Sequence, residues 1–187
     1  MNSKRNFKKT NEPIGSSSGD SKQSIFVIQQ HDASSMHYDF RLESNGVLLS
    51  WAVPKGLSTD THEKRLAIQT EDHPLDYSSF EGVIPEGEYG AGAVIQWDRG
   101  TYENIKKGQN GEIIPLDECL KKGKIEVKLH GQKLTGGYAL VEFREEKGQW
   151  LIIKMKDEEA DARRNPVSTE PTSVLSGKTV DEVGNDE

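Results

Sequence analysis

The chain has 187 residues, 33% of them hydrophobic and 29% charged, with a net charge of −7. That is enough for one sizeable domain with tails. No apolar run approaches the ~20 residues of a membrane span, the opening MNSKRNFKKTNEP lacks the apolar core of a secretory signal, and the single cysteine, Cys119, excludes an internal disulfide or a cysteine-based zinc site, so a cytoplasmic protein is expected.

Residues 1–24 are rich in Ser, Gly, Asn and Lys and read as a basic, flexible N-terminal arm. Lys4, Arg5, Lys8 and Lys9 cluster there. A solvated tail is the plainer reading; an arm that contacts phosphates is the functional one. The body, 25–156, shows short apolar segments between turn signals. IFVI (25–28) is the first strand. MHYDFRLE (36–43) is the second, with Met36, Tyr38, Phe40 and Leu42 alternating with His37, Asp39, Arg41 and Glu43. Such alternation marks a half-buried strand, one face on the core and the other exposed. Ser44, Asn45 and Gly46 make a hairpin turn into VLLSWAV (47–53), which Pro54 and Gly56 close.

RLAIQT (65–70) alternates again. The glycine-rich GVIPEGEYGAG (82–92) has no strand-then-helix context and so is not a dinucleotide loop; its glycines serve tight turns and close strand approach. GAVIQWD (92–98), KIEVKLH (124–130), GYALVEFR (137–144) and WLIIKMK (150–156) complete about eight strands at hairpin-like spacing, a single all-β domain whose pattern favours a barrel or sandwich. PLDECLKKG (115–123) is the one helix predicted in the body, stopped by Gly123. Residues 157–187 hold nine Asp and Glu against three Lys and Arg and read as an acidic tail packing partly on the body.

The polar face of the second strand carries the chemistry. His37 and Asp39 are two apart, so both side chains point the same way with ~7 Å between alpha carbons. His31 lies upstream across DASS, a turn-like segment that can fold it back. Two imidazoles and a carboxylate suit a divalent metal with open positions; two surface histidines beside an aspartate are the bland alternative. Arg41 continues the face. Its guanidinium suits a phosphate oxyanion, or an ion pair with Asp39 or Glu43. In EDHPLDY (71–77), Pro74 holds His73 extended, and Glu71 shares its side if the strand continues. His73 is either a phosphate contact or general acid, or a turn histidine. Lys55 follows a strand end, facing either a cleft or solvent. His62 and His130 are assigned no role.

Together FVIQQHDASSMHYDFRLE, SWAVPKG, KRLAIQTEDHPLDYSSFEGVIPEGEYGAG and VIQWDRGTYE closely resemble the 3′-phosphoesterase domain of bacterial DNA ligase D, in a free-standing version. The likeness runs from about Arg5 to Val183 and includes RNFKKTNEPIG and TSVLSGKTVDEV. It implies a compact β-barrel and a manganese-dependent enzyme acting on DNA or RNA 3′ ends at primer–template junctions. That enzyme would remove a 3′-phosphate, or trim a 3′-terminal ribonucleotide with help from the ribose 2′-OH, to leave a 3′-OH. By matching position, His31, His37 and Asp39 would bind the metal. Arg41 and His73 would bind the scissile phosphate, with Lys55 neutralising charge. Gln29, Arg65, Glu71 and Tyr77 match supporting active-site positions, and Arg5 and Glu12 match polar positions of the N-terminal segment. Where the family pattern has Asp after that Arg, this chain has Asn6. Sealing and synthesis are expected to need separate ligase and polymerase proteins, and a monomer is expected. Two other functions compete. A non-catalytic end-binding module would keep the phosphate contacts without turnover. An Fe(II) oxygenase would use the same three ligands, but Arg41, Lys55 and His73 suit a phosphate better than a keto acid.

Overall fold

The structure, a computed structural model, describes residues 24–87 and 91–185. The N-terminal arm, with Lys4, Arg5, Asn6, Lys8, Lys9 and Glu12, lies outside the described residues apart from Ser24.

Among the described residues, nine strands form one antiparallel sheet: β1 (Ser24–Asp32), β2 (Met36–Ser44), β3 (Val47–Val53), β4 (Lys64–Pro74), β5 (Gly82–Ile84), β6 (Gly92–Asn104), β7 (Lys124–Gly131), β8 (Thr135–Arg144) and β9 (Gln149–Lys154). Eight of them close on themselves in the order β1-β2-β3-β4-β9-β8-β7-β6, because β1 pairs with both β2 and β6. The ninth, β5, flanks β6 outside the closed ring. It falls in the glycine-rich stretch that reads as turns, and is too short to show a period of its own. At Gly92, φ is +132° and an added Cβ would sit 2.0 Å from the Asp32 carbonyl oxygen, so only glycine lets β6 approach β1 there.

A barrel of this size is filled by its own side chains. Phe26, Ile28, Phe40, Leu42, Trp51, Trp97, Val127, Leu140, Trp150 and Ile152 make up that filling, and Ile125, Val127 and Leu129 of β7 are all buried. Trp51 meets Trp150 edge-to-face, with ring centroids 5.6 Å apart. The two indoles leave little room at the level of β4. There the small Ala67 points inward and Leu66 is 36% exposed, so the apolar residues of RLAIQT do not mark the core face. The inward Gln69 accepts the Trp150 indole N–H at 3.1 Å. Met36, aligned with the core face of β2 by sequence, is exposed at the hairpin end.

The β2–β3 turn is as predicted: Asn45 and Gly46 both have positive φ (53° and 85°), the backbone of a type I′ hairpin. The helix α1 (Leu116–Lys122) ends on Gly123, whose left-handed backbone returns its N–H to the Cys119 and Leu120 carbonyls. Two further short helices, α2 (Pro166–Thr169) and α3 (Val180–Asn185), lie in the segment read as a tail. Val180 and Val183 bury against Ala93 and Ile95. Lys133 and the Trp97 indole both donate to the Glu170 carbonyl at 2.8 Å. Among the described residues, no helix is long and apolar enough to cross a membrane.

One buried carboxylate organises the β7–β8 turn. Asp98 Oδ1 accepts the backbone N–H of Arg99, Gln132 and Lys133 at 2.9, 2.8 and 3.1 Å, and Oδ2 accepts that of Leu134 at 2.9 Å. In Asp98→Asn an amide donor faces one of these donors. A buried N–H left unpaired costs about 1–3 kcal/mol. The variant is therefore expected to lose about 2 kcal/mol in urea denaturation; wild-type stability would show that the turn does not depend on this carboxylate.

Candidate active site

The site is assembled by strand registry. On β2, His37, Asp39 and Arg41 project from the outer face, opposite Tyr38, Phe40 and Leu42 in the core. Across the ladder His31 pairs with His37, and Gln29 with Asp39. The loop between β1 and β2 thus folds His31 back onto His37, with ring centroids 4.8 Å apart. On the other side Arg41 pairs with Ser50. Ser50 faces Thr70 on β4, but Leu48 faces His73, so β4 carries one extra residue in this interval. That bulge turns His73 onto the face shared by Arg41 and Ser50.

Three donors converge. His31 Nδ1 lies 3.6 Å from Asp39 Oδ2, and His37 Nε2 lies 3.2 Å from Asp39 Oδ1. One ligand atom from each residue falls within 4.8 Å of the others. Ligands ~2.1 Å from an ion in a tetrahedral or octahedral shell lie ~3.0–3.4 Å apart, so the trio fits a divalent cation after small side-chain adjustments. His37 Nδ1 lies 3.1 Å from the Ser35 carbonyl. With Nδ1–H held on that oxygen, loss of the Nε2 proton shared with Asp39 would free Nε2 for a metal, the tautomer a metal ligand requires. Burial alone would raise the Asp39 pKa. Hydrogen bonds from His31 and His37 and the charge of Arg41 outweigh it, holding the carboxyl well below the usual range. Burial also opposes the charge on His37, but the Asp39 bond and charge prevail and raise its pKa.

The face is outward but not exposed, contrary to the half-buried strand expected. Arg41 is 3% exposed, Asp39 8% and Gln29 0%. The cover is the 3-10 segment Leu75–Ser79 and Phe80. Tyr77 lies over the Arg41 guanidinium at 5.1 Å and stacks on Phe80 at 5.2 Å. Gln29 Nε2 donates to the Tyr77 carbonyl at 3.0 Å.

Arg41 is clamped. Its Nε donates to Gln29 Oε1 at 2.6 Å, and Nη1 to Ser50 Oγ at 2.7 Å and His73 Nδ1 at 3.1 Å, while Nη2 lies 3.4 Å from Asp39 Oδ2. A guanidinium has no acceptor, so toward Arg41 the neutral His73 ring accepts at Nδ1; the same atom lies 3.0 Å from the Glu71 carbonyl, to which the Nδ1–H tautomer donates instead. Burial, and then the Arg41 charge, lower the His73 pKa and favour this neutral form at neutral pH.

A cleft of about 340 Å³ brings together His31, His37, Asp39, Arg41, Glu71, His73 and Tyr77, with Ala33, Ser34 and Ile84 at its edge. Lys55 and Arg65 line a separate groove with Glu63 and Lys64. Arg65 is spent on the turn after β3, donating to the Lys55 carbonyl at 2.7 Å and pairing with Glu63 at 3.1 Å. Gln29 stands behind Arg41 rather than in the cleft. Ser50 is the residue that sequence reasoning missed. Its signal was a lone hydroxyl in the otherwise apolar VLLSWAV.

Residues 29–142 match the family model of the DNA ligase D 3′-phosphoesterase domain. The chain belongs to that family. It is 45% identical over 183 residues to the multifunctional non-homologous end joining protein LigD of Pseudomonas aeruginosa, covering 95% of this chain and 21% of that protein. It is 47% identical over 157 residues to the multifunctional non-homologous end joining DNA repair protein LigD of Mycobacterium tuberculosis, covering 82% of this chain and 19% of that one. With LigD of Mycolicibacterium smegmatis the identity is 46% over 159 residues, 83% of this chain and 20% of the relative. The chain thus spans about a fifth of the length of these relatives. His31, His37, Asp39, Arg41 and His73 all fall inside the matched stretch.

Proposed function

We propose that this chain is a metal-dependent 3′-end-healing phosphoesterase of DNA or RNA, working as a cytoplasmic monomer in end-joining repair. It would remove a 3′-phosphate, and a 3′-terminal ribonucleotide where one is present, to leave a 3′-OH. The observation that carries the reading is the placement of Arg41 and His73 directly beside the three-donor cluster, in one cleft. His31, His37 and Asp39 would hold Mn²⁺, which supplies Lewis-acid polarisation of a phosphoryl oxygen.

The protein's own groups do the rest. Arg41 enters the cleft with its orientation fixed by Gln29 and Ser50, so little freedom is lost when it meets an anion. Its charge offsets the negative charge that builds on the phosphoryl group. In the tautomer whose Nδ1 accepts from Arg41, His73 would present Nε2–H as a neutral donor, suited to hold a phosphate oxygen or to protonate the leaving oxygen. Tyr77 keeps water from the guanidinium by covering its face. Lys55, in a separate groove whose turn Arg65 holds, would meet phosphates further along the strand.

The test is release of inorganic phosphate from a 3′-phosphorylated primer–template with Mn²⁺ added. Release supports the phosphoesterase; tight binding with no release at any divalent ion would instead make the chain an end-binding module. The same sample on a ribonucleotide-ended primer tests the second activity. The N-terminal arm is expected to add phosphate contacts. Deleting residues 1–10, with Lys4, Arg5, Lys8 and Lys9, should lower the slope of log affinity against log salt by about 2–4, at ~0.9 per phosphate contact. An unchanged slope would show that the arm does not touch DNA.

A further inference from the structure

The segment that covers Arg41 is held from behind. Gln29, whose Oε1 takes the Arg41 Nε–H, donates through Nε2 to the Tyr77 carbonyl at 3.0 Å and to the Phe80 carbonyl at 3.4 Å. Gln96, its partner across the β1–β6 ladder, donates to the same Phe80 carbonyl at 2.6 Å. Both glutamine side chains are fully buried. The β5–β6 ladder ends at the Gly82–Val94 pair, so past it the outer edge of β6 needs other partners. Two come from outside the strands. Glu81 Oε1 accepts the Gln96 backbone N–H at 2.8 Å, and the Val174 N–H donates to the Gln96 carbonyl at 2.8 Å. Ser173 closes the circuit, donating its hydroxyl to Glu81 Oε1 at 2.6 Å. It is itself buried, and its Oγ accepts the N–H of Leu175 and Ser176 at 2.9 and 3.0 Å.

We propose that the C-terminal segment is a positioning element of the cleft. Ser173 and Glu81 fix the edge of β6 and the Tyr77–Phe80 cover, and through Gln96 and Gln29 they set the direction of Arg41. The chain of bonds runs from Ser173 to Glu81, Gln96, Phe80, Gln29 and Arg41 with no solvent-exposed link. A hydroxyl donating to a half-buried carboxylate is a charge-assisted hydrogen bond, and its loss leaves that carboxylate short of a protein donor. Glu81 then has reason to move, and the groups it holds move with it. The supporting unit therefore extends past the stretch 29–142 that matches the family. Its effect on catalysis rests on the reading of Arg41 as the phosphate-binding cation; its effect on Arg41 itself does not.

The test uses the full chain with Ser173→Ala, Ser173→Thr and Glu81→Gln. Two readouts are taken: the ¹H–¹⁵N signal of the Arg41 Nε–H, and KM and kcat for a 3′-phosphorylated primer. In Ser173→Ala the Arg41 signal is expected to shift and its exchange with solvent to quicken about tenfold, the effect of one lost buried hydrogen bond. KM rises about fivefold with kcat within twofold, Mn²⁺ affinity stays within twofold, and Ser173→Thr restores the signal and KM. Should Ser173→Ala fail to fold, Glu81→Gln, which keeps the side-chain shape, is expected to shift the same signal. An Arg41 signal unmoved in every folded variant overturns the proposal. A wild-type protein that releases no phosphate would overturn the catalytic reading alone, because the spectrum still reports whether Ser173 reaches Arg41.

Discussion

Replacing His37 by Ala is expected to abolish phosphate release while leaving the barrel folded. His37 is one of three donors around the proposed cation, and two remaining ligands from one small hairpin hold a divalent ion poorly. Loss of Lewis-acid assistance removes several kcal/mol of transition-state stabilisation, and ~4 kcal/mol is about a thousandfold in rate. The fold should tolerate the change. The His37 ring lies on the outer face with its side chain 21% exposed, and Asp39 keeps His31 and Arg41 as neighbours. Steady-state release from a 3′-phosphorylated primer, beside a thermal melt and a Mn²⁺ titration of the same sample, checks both halves. Near-normal turnover in His37→Ala would mean that the ligand assignment is wrong.

Arg41→Lys should be nearly as damaging, although it conserves charge. The guanidinium reaches Gln29, Ser50, His73 and Asp39 at once, in one plane of fixed donors. An ammonium on a shorter head cannot span that set. Gln29 Oε1, buried at 0% exposure, then lacks its donor, at a cost of about 1–3 kcal/mol to stability. Phosphate release should fall about a hundredfold, carried largely by KM, because a guanidinium held in a fixed orientation beside the cleft is replaced by a mobile point charge. Urea denaturation and a KM-against-kcat comparison separate the two effects. A lysine variant with wild-type KM would remove Arg41 from phosphate binding.

Much of this was readable in HDASSMHYDFRLE. The period-two alternation of β2 sets Tyr38, Phe40 and Leu42 inward and aligns His37, Asp39 and Arg41 on one face, and a short turn suffices to bring His31 across from His37. The Asn45–Gly46 hairpin and the Gly123 helix stop carry their own local signatures. What could not be read are contacts between distant segments. The outer face of β2 is buried because residues 75–80 cross it, and no periodicity within β2 reports a crossing made elsewhere. His73 reaches Arg41 only through the extra residue in β4 opposite the interval Leu48 to Ser50. Ala67, not Leu66, faces the core because two indoles already fill that level. Family position puts Lys55 among the phosphate-binding residues and Arg65 among the supporting ones, while both line a groove separate from the cleft. The Ser173–Glu81 bond joins residues 92 positions apart and has no local pattern at all.

The most direct measurement is anomalous diffraction at the manganese edge from crystals grown with Mn²⁺. One strong peak is expected between the His31 and His37 rings and the Asp39 carboxylate, within reach of all three, and it should vanish in His37→Ala. A peak elsewhere on the barrel, or none, from a preparation that releases 3′-phosphate with the same ion would contradict the assignment of the site.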